Sequence, residues 1–155
     1  MKIIKLTKGA LTIVDDEDYI LLSKNKWHLH SGGYASCKGT RVNNPKRSSI
    51  YMHRLIMGCP KDMEIDHING NKLDNRRRNL RICTTSQNAM NRAIQSNNTS
   101  GHKGVSWCKT HKIWKCYIRK QNKTIHLGHY KNIEDAKKTY VKANKIYHGD
   151  FGRIN

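Results

Sequence analysis

Acidic residues are scarce in this chain: eleven Asp and Glu stand against thirty Lys and Arg, a formal charge of +19 on 155 residues. Such a surplus opposes compact folding by self-repulsion unless a polyanion is at hand, so nucleic acid is the natural partner. Apolar runs are short. No stretch of about 18 apolar residues could span a bilayer, and "MKIIKLTKGALTIVDDEDY" turns acidic where a secretory segment would stay apolar. A cytoplasmic protein with no membrane partner is expected. The five cysteines, Cys37, Cys59, Cys83, Cys108 and Cys116, are odd in number and form no C-x-x-C pair, which argues against a disulfide framework and a zinc ribbon. They are expected as small core residues. Pro and Gly are not in excess, and Trp and Tyr are spread along the chain, so this is not a disordered basic tail.

What is present points to an α+β fold in three modules. Residues 1–50 carry short period-2 runs ("IIKLTKGALTIV", "KWHLH", "GYASCKG") around a helix "DEDYILLSKN" whose acids sit at its favourable N-terminal end. The role of this module is open between packing on its neighbour and DNA contact through Lys24, Lys26, Lys46 and Arg47. Residues 51–95 form the second module. Residues 96–102, rich in Ser, Asn, Thr and Gly, are expected as a linker to a third module at 103–155.

In the third module "IWKCYIRK" alternates Trp114, Cys116 and Ile118 with Lys115, Tyr117 and Arg119, the pattern of a strand half in a core. A "QN" turn leads to "KTIHLGHY", with Ile125 and Leu127 facing one way and Thr124 and His126 the other. With "GVSW" these give a three-stranded antiparallel sheet. Asn132 can cap a helix whose Ile133, Ala136, Tyr140, Ala143 and Tyr147 recur at steps of 3 and 4, an apolar stripe that covers one sheet face. The opposite face, with Lys115, Tyr117, Arg119, Thr124 and His126, is basic and can donate hydrogen bonds, which suits a DNA major groove. This segment resembles the plant-type APETALA/ethylene-response DNA-binding domain. By position, the resemblance implies DNA contacts at Lys103, Gly104, Ser106, Arg119, Thr124 and His126. Ser106, Thr124 and His126 stand where that family usually has Arg or Trp, which leaves the preferred base sequence open.

The densest chemistry lies in "IDHINGNKLDNRRRNL", residues 65–80. So many carboxylates and amides cannot be buried without partners. A strand "MEIDH", a loop with an Asn-Gly turn, a strand "LRICTT" and a helix "SQNAMNRA" capped by Thr85 or Ser86 are expected. Hydrolysis of a phosphodiester needs an activated water and a counter-charge for the transition state. An unperturbed histidine titrates near neutrality, so His67 can take the water's proton. Asp66 and Asn88 offer hard oxygen ligands suited to Mg²⁺.

"DHINGN", "DNRRRNLR" and "QNAMN" resemble the HNH endonuclease motif of the homing type, with its strand-strand-helix metal finger. The resemblance implies His67 as general base and Asn79 as the central Asn that holds the loop. It also implies Asn88 as the last metal-site residue, with Asn91 a competitor one helical turn on. Asp66 can share a site with His67 only if the strand breaks near His67. Arg76, Arg77 and Arg78 are candidate phosphate contacts, and His53 is expected to be structural.

The expectation is a DNA endonuclease using Mg²⁺, with Mn²⁺ or another divalent ion as alternatives and no structural zinc. It would act on double-stranded DNA with sequence bias from its third module. A monomer would nick one strand; a dimer would cut both. The resemblance implies a homing or mobile phage setting, in the cytoplasm of a bacterial host. The rival reading is a non-catalytic DNA-binding regulator using the same basic surfaces; an RNA-binding protein is weaker, for want of a stacking platform.

Overall fold

The computed structural model describes residues 1–39, 49–121 and 123–154. Lys46, Arg47, Asn122 and Asn155 lie outside the described residues. The chain divides into two units, Met1–Thr85 and Ser86–Asn155.

In the first unit, β1 (Lys2–Lys5) and β2 (Leu11–Val14) pair antiparallel. Helix α1 (Asp16–Ser23) follows, with Asp16, Glu17 and Asp18 in its first turn, as the acidic run leads one to expect. β3 (His28–Leu29), β4 (Ala35–Lys38) and β5 (Ser49–Tyr51) form a small antiparallel sheet in that order. Helix α2 (Met52–Met57), too short to show a convincing period in the sequence, ends at the left-handed Gly58. β6 (Glu64–His67) pairs antiparallel with β7 (Leu80–Cys83), entered through a 3₁₀ turn at Arg77–Asn79.

Four-residue strands cannot close a core alone. Ile4, Leu6, Val14, Leu22 and Trp27 therefore join Met52, Ile56, Ile65 and Leu80 in one buried cluster. Packing is thus what residues 1–39 do for the hairpin that follows. Helix α3 (Thr85–Met90) begins where the units meet in sequence. Thr85 lies inside it and its hydroxyl donates to Glu64 (2.9 Å). One of the two residues expected as a cap is thus used across the β6–β7 hairpin's edge.

In the second unit, β8 (Val105–Cys108), β9 (Ile113–Lys120) and β10 (Lys123–Tyr130) form the expected antiparallel sheet, β9 in the middle. Asn132 caps α4 (Ile133–His148), accepting from the Glu134 backbone N–H (2.9 Å). The stripe read from the sequence packs Val105, Cys116 and Ile118 under Ala136, Tyr140 and Ala143. The segment expected as a linker is knotted by its own side chains: Ser100 Oγ donates to the Val105 carbonyl (2.7 Å), and Asn98 Oδ1 accepts from the Gly101 N–H (2.8 Å). All five cysteines are free thiols, and Cys37, Cys83 and Cys116 are buried. No helix among the described residues is long and apolar enough to cross a membrane.

Candidate active site

The polar loop between β6 and β7 is built by its own amides. Asn69 Oδ1 accepts from the Asn71 N–H (2.8 Å), and Asn71 Oδ1 accepts from the Leu73 N–H (3.0 Å). The Asn69 amide donates to Asp74 Oδ2 (2.9 Å). Asn79, only 6 % exposed, ties both arms of the loop: its Oδ1 accepts from the Asn69 N–H (3.0 Å) and its Nδ2 donates to the Asp74 carbonyl (2.8 Å). Grouped with His67 as catalytic on sequence grounds, it closes the loop that follows that histidine. The strand ends immediately after His67, where the Gly70 N–H returns to the His67 carbonyl (2.7 Å) with Gly70 left-handed.

His67 is 5 % exposed, its ring edge-on to His53 at 5.2 Å between centres. Nε2 lies 3.4 Å from Asn75 Oδ1. Burial pulls its pKa below the usual 6.5, against the opposing influence of Asn75 and the charges of Asp66 and Asp74. The ring is therefore neutral at pH 7 and able to accept a proton. Sequence reasoning passed over Asn75, which is fully buried. Its one signal was an amide in a charged run, the kind of polar residue that has to be partnered if it is inside.

Asp66 is paired to Leu80's neighbour: it sits opposite Arg81, while His67 sits opposite Leu80. Pairing thus continues through His67, and the two side chains leave the strand on alternate faces. Arg81 places Nε (2.8 Å) and Nη2 (2.6 Å) on Asp66 Oδ2. Among the described residues no group of three or more His, Cys, Asp or Glu gathers to hold a metal. Mg²⁺ keeps several waters and often takes one or two carboxylates, so the Asp66 oxygen chemistry fits it, in competition with the Arg81 cation. Asn88 lies in α3 and Asn91 just beyond it, both within Ser86–Asn155.

Of the three arginines expected at phosphate, two have internal partners. Arg76 grips Asp74 with Nε (2.7 Å) and Nη2 (2.5 Å), which holds that carboxyl below its ordinary pKa. Arg77 grips Asp18 with Nε (2.9 Å) and Nη2 (2.6 Å), reaches Glu17 (3.0 Å), and donates its backbone N–H to Asp15 (2.7 Å). The Arg77 contacts pin the loop to the start of α1, so the acid-rich helix start complements that arginine. Arg78 is exposed.

His53, expected as structural, is buried among Tyr34, Tyr51 and His67. Its Nδ1 has no hydrogen-bond partner among the described residues. Burial first, then the charges of His67 and Arg54, push its pKa down to about 3. An unfolded chain protonates His53 near 6.5, so its contribution to stability is complete above that pH and is lost as pH falls toward 3. Lowering the pH from 6.5 to about 5 is expected to cost about 2 kcal/mol through this residue. Urea unfolding at the two pH values checks this: His53→Phe is expected to remove most of that difference.

In the second unit the register puts Thr124 opposite Arg119, His126 opposite Tyr117, and Ser106 opposite Lys115. These six share the sheet face away from α4: the five read there from the alternation, and Ser106 beside Lys115. A bulge between His126 and Gly128 then brings His129 opposite Lys115 and within 4.5 Å of the His126 ring, an addition simple alternation missed. Two expected DNA contacts are turned elsewhere. Lys103 donates Nζ to three carbonyls, those of Met90 (3.0 Å), Arg92 (2.8 Å) and Arg153 (2.9 Å), and its half-burial lowers its pKa to about 8. Gly104, left-handed at φ +66°, lets the chain pass so close that a Cβ would meet the Tyr117 carbonyl and the Tyr140 ring at 2.3 Å.

Comparison with known proteins places these observations. Residues 51–90 match the sequence profile of the HNH endonuclease family. The chain is 32 % identical over 95 residues to Protein 3.8 of Escherichia phage T7, spanning 61 % of this chain and 78 % of that one. It is 28 % identical over 154 residues to an uncharacterised HNH endonuclease of Acanthamoeba polyphaga mimivirus, 96 % of this chain and 76 % of the other. No solved structure matches it significantly. The matched segment is the one that builds the His67 hairpin and the loop clasped by Asn79, and the chain belongs to the HNH endonuclease family and is a DNA endonuclease.

Proposed function

We propose that the protein is a divalent-metal-dependent nickase of double-stranded DNA, of the homing type, with sequence bias supplied by its C-terminal sheet unit. The observation that carries the reading is a buried histidine, His67, placed at the end of a strand whose following loop Asn79 clasps. His67 takes the proton of the attacking water as the new O–P bond forms and the bond to the 3′ oxygen breaks. Asn88 is the proposed metal residue, with Mg²⁺ the favoured ion; Asp66, expected beside it, leaves the strand on the face opposite His67 and is held by Arg81. A bound Mg²⁺ supplies charge stabilisation at the phosphoryl oxygens. Arg78, exposed beside the clasped loop, is the proposed phosphate contact. One set of catalytic groups per chain implies one nick per monomer; double-strand cutting would need a dimer.

The C-terminal unit, proposed to be APETALA/ethylene-response-like, reads DNA with Ser106, Lys115, Tyr117, Arg119, Thr124 and His126, joined by His129. A metal finger contacts mostly backbone, which carries no sequence directly, so a second unit in the same chain adds preference and effective affinity. The test is nicking of supercoiled plasmid with and without Mg²⁺, by wild type and His67→Ala. Metal-dependent nicking lost in the variant supports the reading; retarded but uncut plasmid with both would favour the DNA-binding regulator.

Lys115→Ala with Arg119→Ala is expected to weaken duplex binding and to flatten its salt dependence by about one unit of slope per lost phosphate contact. Turnover at saturating DNA should stay unchanged. A fall in turnover at saturation would place these residues in the chemistry instead.

A further inference from the structure

We infer that Thr12 and Asn75 form a relay that fixes which ring nitrogen of His67 carries the proton, holding it on Nε2 and directing the lone pair of Nδ1 outward from the relay. The inference rests on the reading of His67 as the base, and it adds two positioning residues to it. Neither residue touches the substrate.

The relay can be read in one direction only. The Leu73 carbonyl has no proton to give, so Thr12 Oγ1, 2.8 Å away, must donate to it. The hydroxyl's only proton is then committed, and Thr12 can meet Asn75 at 2.7 Å solely as acceptor. Asn75 therefore points its NH₂ at Thr12 and its carbonyl oxygen at His67. That oxygen, 3.4 Å from Nε2, accepts, and so Nε2 bears the hydrogen. Thr12 and Asn75 are both fully buried, so water does not scramble the sequence of donors.

The backbone holds the same parts in place. The Ile13 N–H donates to the Leu73 carbonyl (2.9 Å), and the Asn75 N–H donates to the Ile13 carbonyl (2.8 Å). Strand β2 is thereby stitched to the loop of the site. A residue 55 positions before the histidine thus sets its tautomer, which gives residues 1–39 a part in the chemistry beyond packing. A general base needs its lone pair on the nitrogen that faces the water; the other tautomer is catalytically silent whatever the ring's position.

The experiment is ¹⁵N NMR of the histidine rings in the full-length protein, with the His67 signal identified by its absence from His67→Gln, alongside steady-state nicking. Wild type is expected to show a protonated Nε2 and a bare Nδ1. Thr12→Val keeps shape but leaves the Asn75 amide without an acceptor. It is expected to mix the tautomers and to lower kcat roughly 10- to 100-fold, with KM for DNA unchanged. Thr12→Ser, which restores the hydroxyl, is expected to restore both. A wild-type His67 protonated on Nδ1 would overturn the inference, as would Thr12→Val leaving the tautomer intact. Full nicking by His67→Gln would instead overturn the assignment of the base, while the ring spectrum would still report whether the relay exists.

Discussion

His67→Ala is expected to lower the rate of nicking roughly 10²- to 10⁴-fold, the range that a positioned general base supplies, while leaving duplex affinity within about twofold. The side chain is 5 % exposed, so it makes little surface for binding. Plasmid nicking at saturating protein, set beside a binding titration at the same salt, separates the two effects. The acid limb of the wild-type rate adds a second check. Burial lowers the His67 pKa, so the neutral base persists below the pH at which an ordinary histidine protonates. Activity should therefore hold through pH 6.5 on the way down and fall only below it. A limb at or above 6.5 would mean that the titrating group is not this buried ring.

The sequence made the second unit legible because its signals agree with one another. Period-2 alternation in "IWKCYIRK", a 3–4 stripe in α4 and an Asn cap all describe one sheet under one helix. The departures come from individual close contacts. Lys103 looks like any surface lysine in one dimension, yet three carbonyls converge on its ammonium. The bulge after His126 has no signal beyond Gly128, and it changes the face of His129.

In the first unit His67 and Asn79 were named through the resemblance to the HNH motif, which is local in the chain because the loop's amides bond to near neighbours. The long-range part was not. Thr12 reaches Leu73 and Asn75 across some sixty residues, and Arg77 reaches Asp18 across 59. Alternation marks Thr12 as a strand residue facing inward or outward; it cannot name the partner that satisfies a buried hydroxyl. Residues 1–50 therefore looked like a separate module, although side chains within residues 1–39 complete the nuclease hairpin's core and polar network.

Gly104→Ala is expected to destabilise the C-terminal unit by roughly 2 to 4 kcal/mol, adding the cost of a side chain at positive φ to that of overpacking. The new methyl would meet the Tyr117 carbonyl and the Tyr140 ring at 2.3 Å. Neither can give way freely: the Tyr117 N–H is bonded to the Gly104 carbonyl (2.8 Å), and Tyr140 is part of the core under α4. The glycine's position by family resemblance suggests DNA contact, and the two roles predict different data. If Gly104 serves the fold, Gly104→Ala lowers the melting temperature, and DNA affinity falls in step, recovering on cooling as the unit refolds. Arg119→Ala, on the exposed face, should weaken affinity with no change in melting. If Gly104→Ala weakened binding at every temperature with melting unchanged, the close approach would matter for DNA rather than for the packing of β9 against α4.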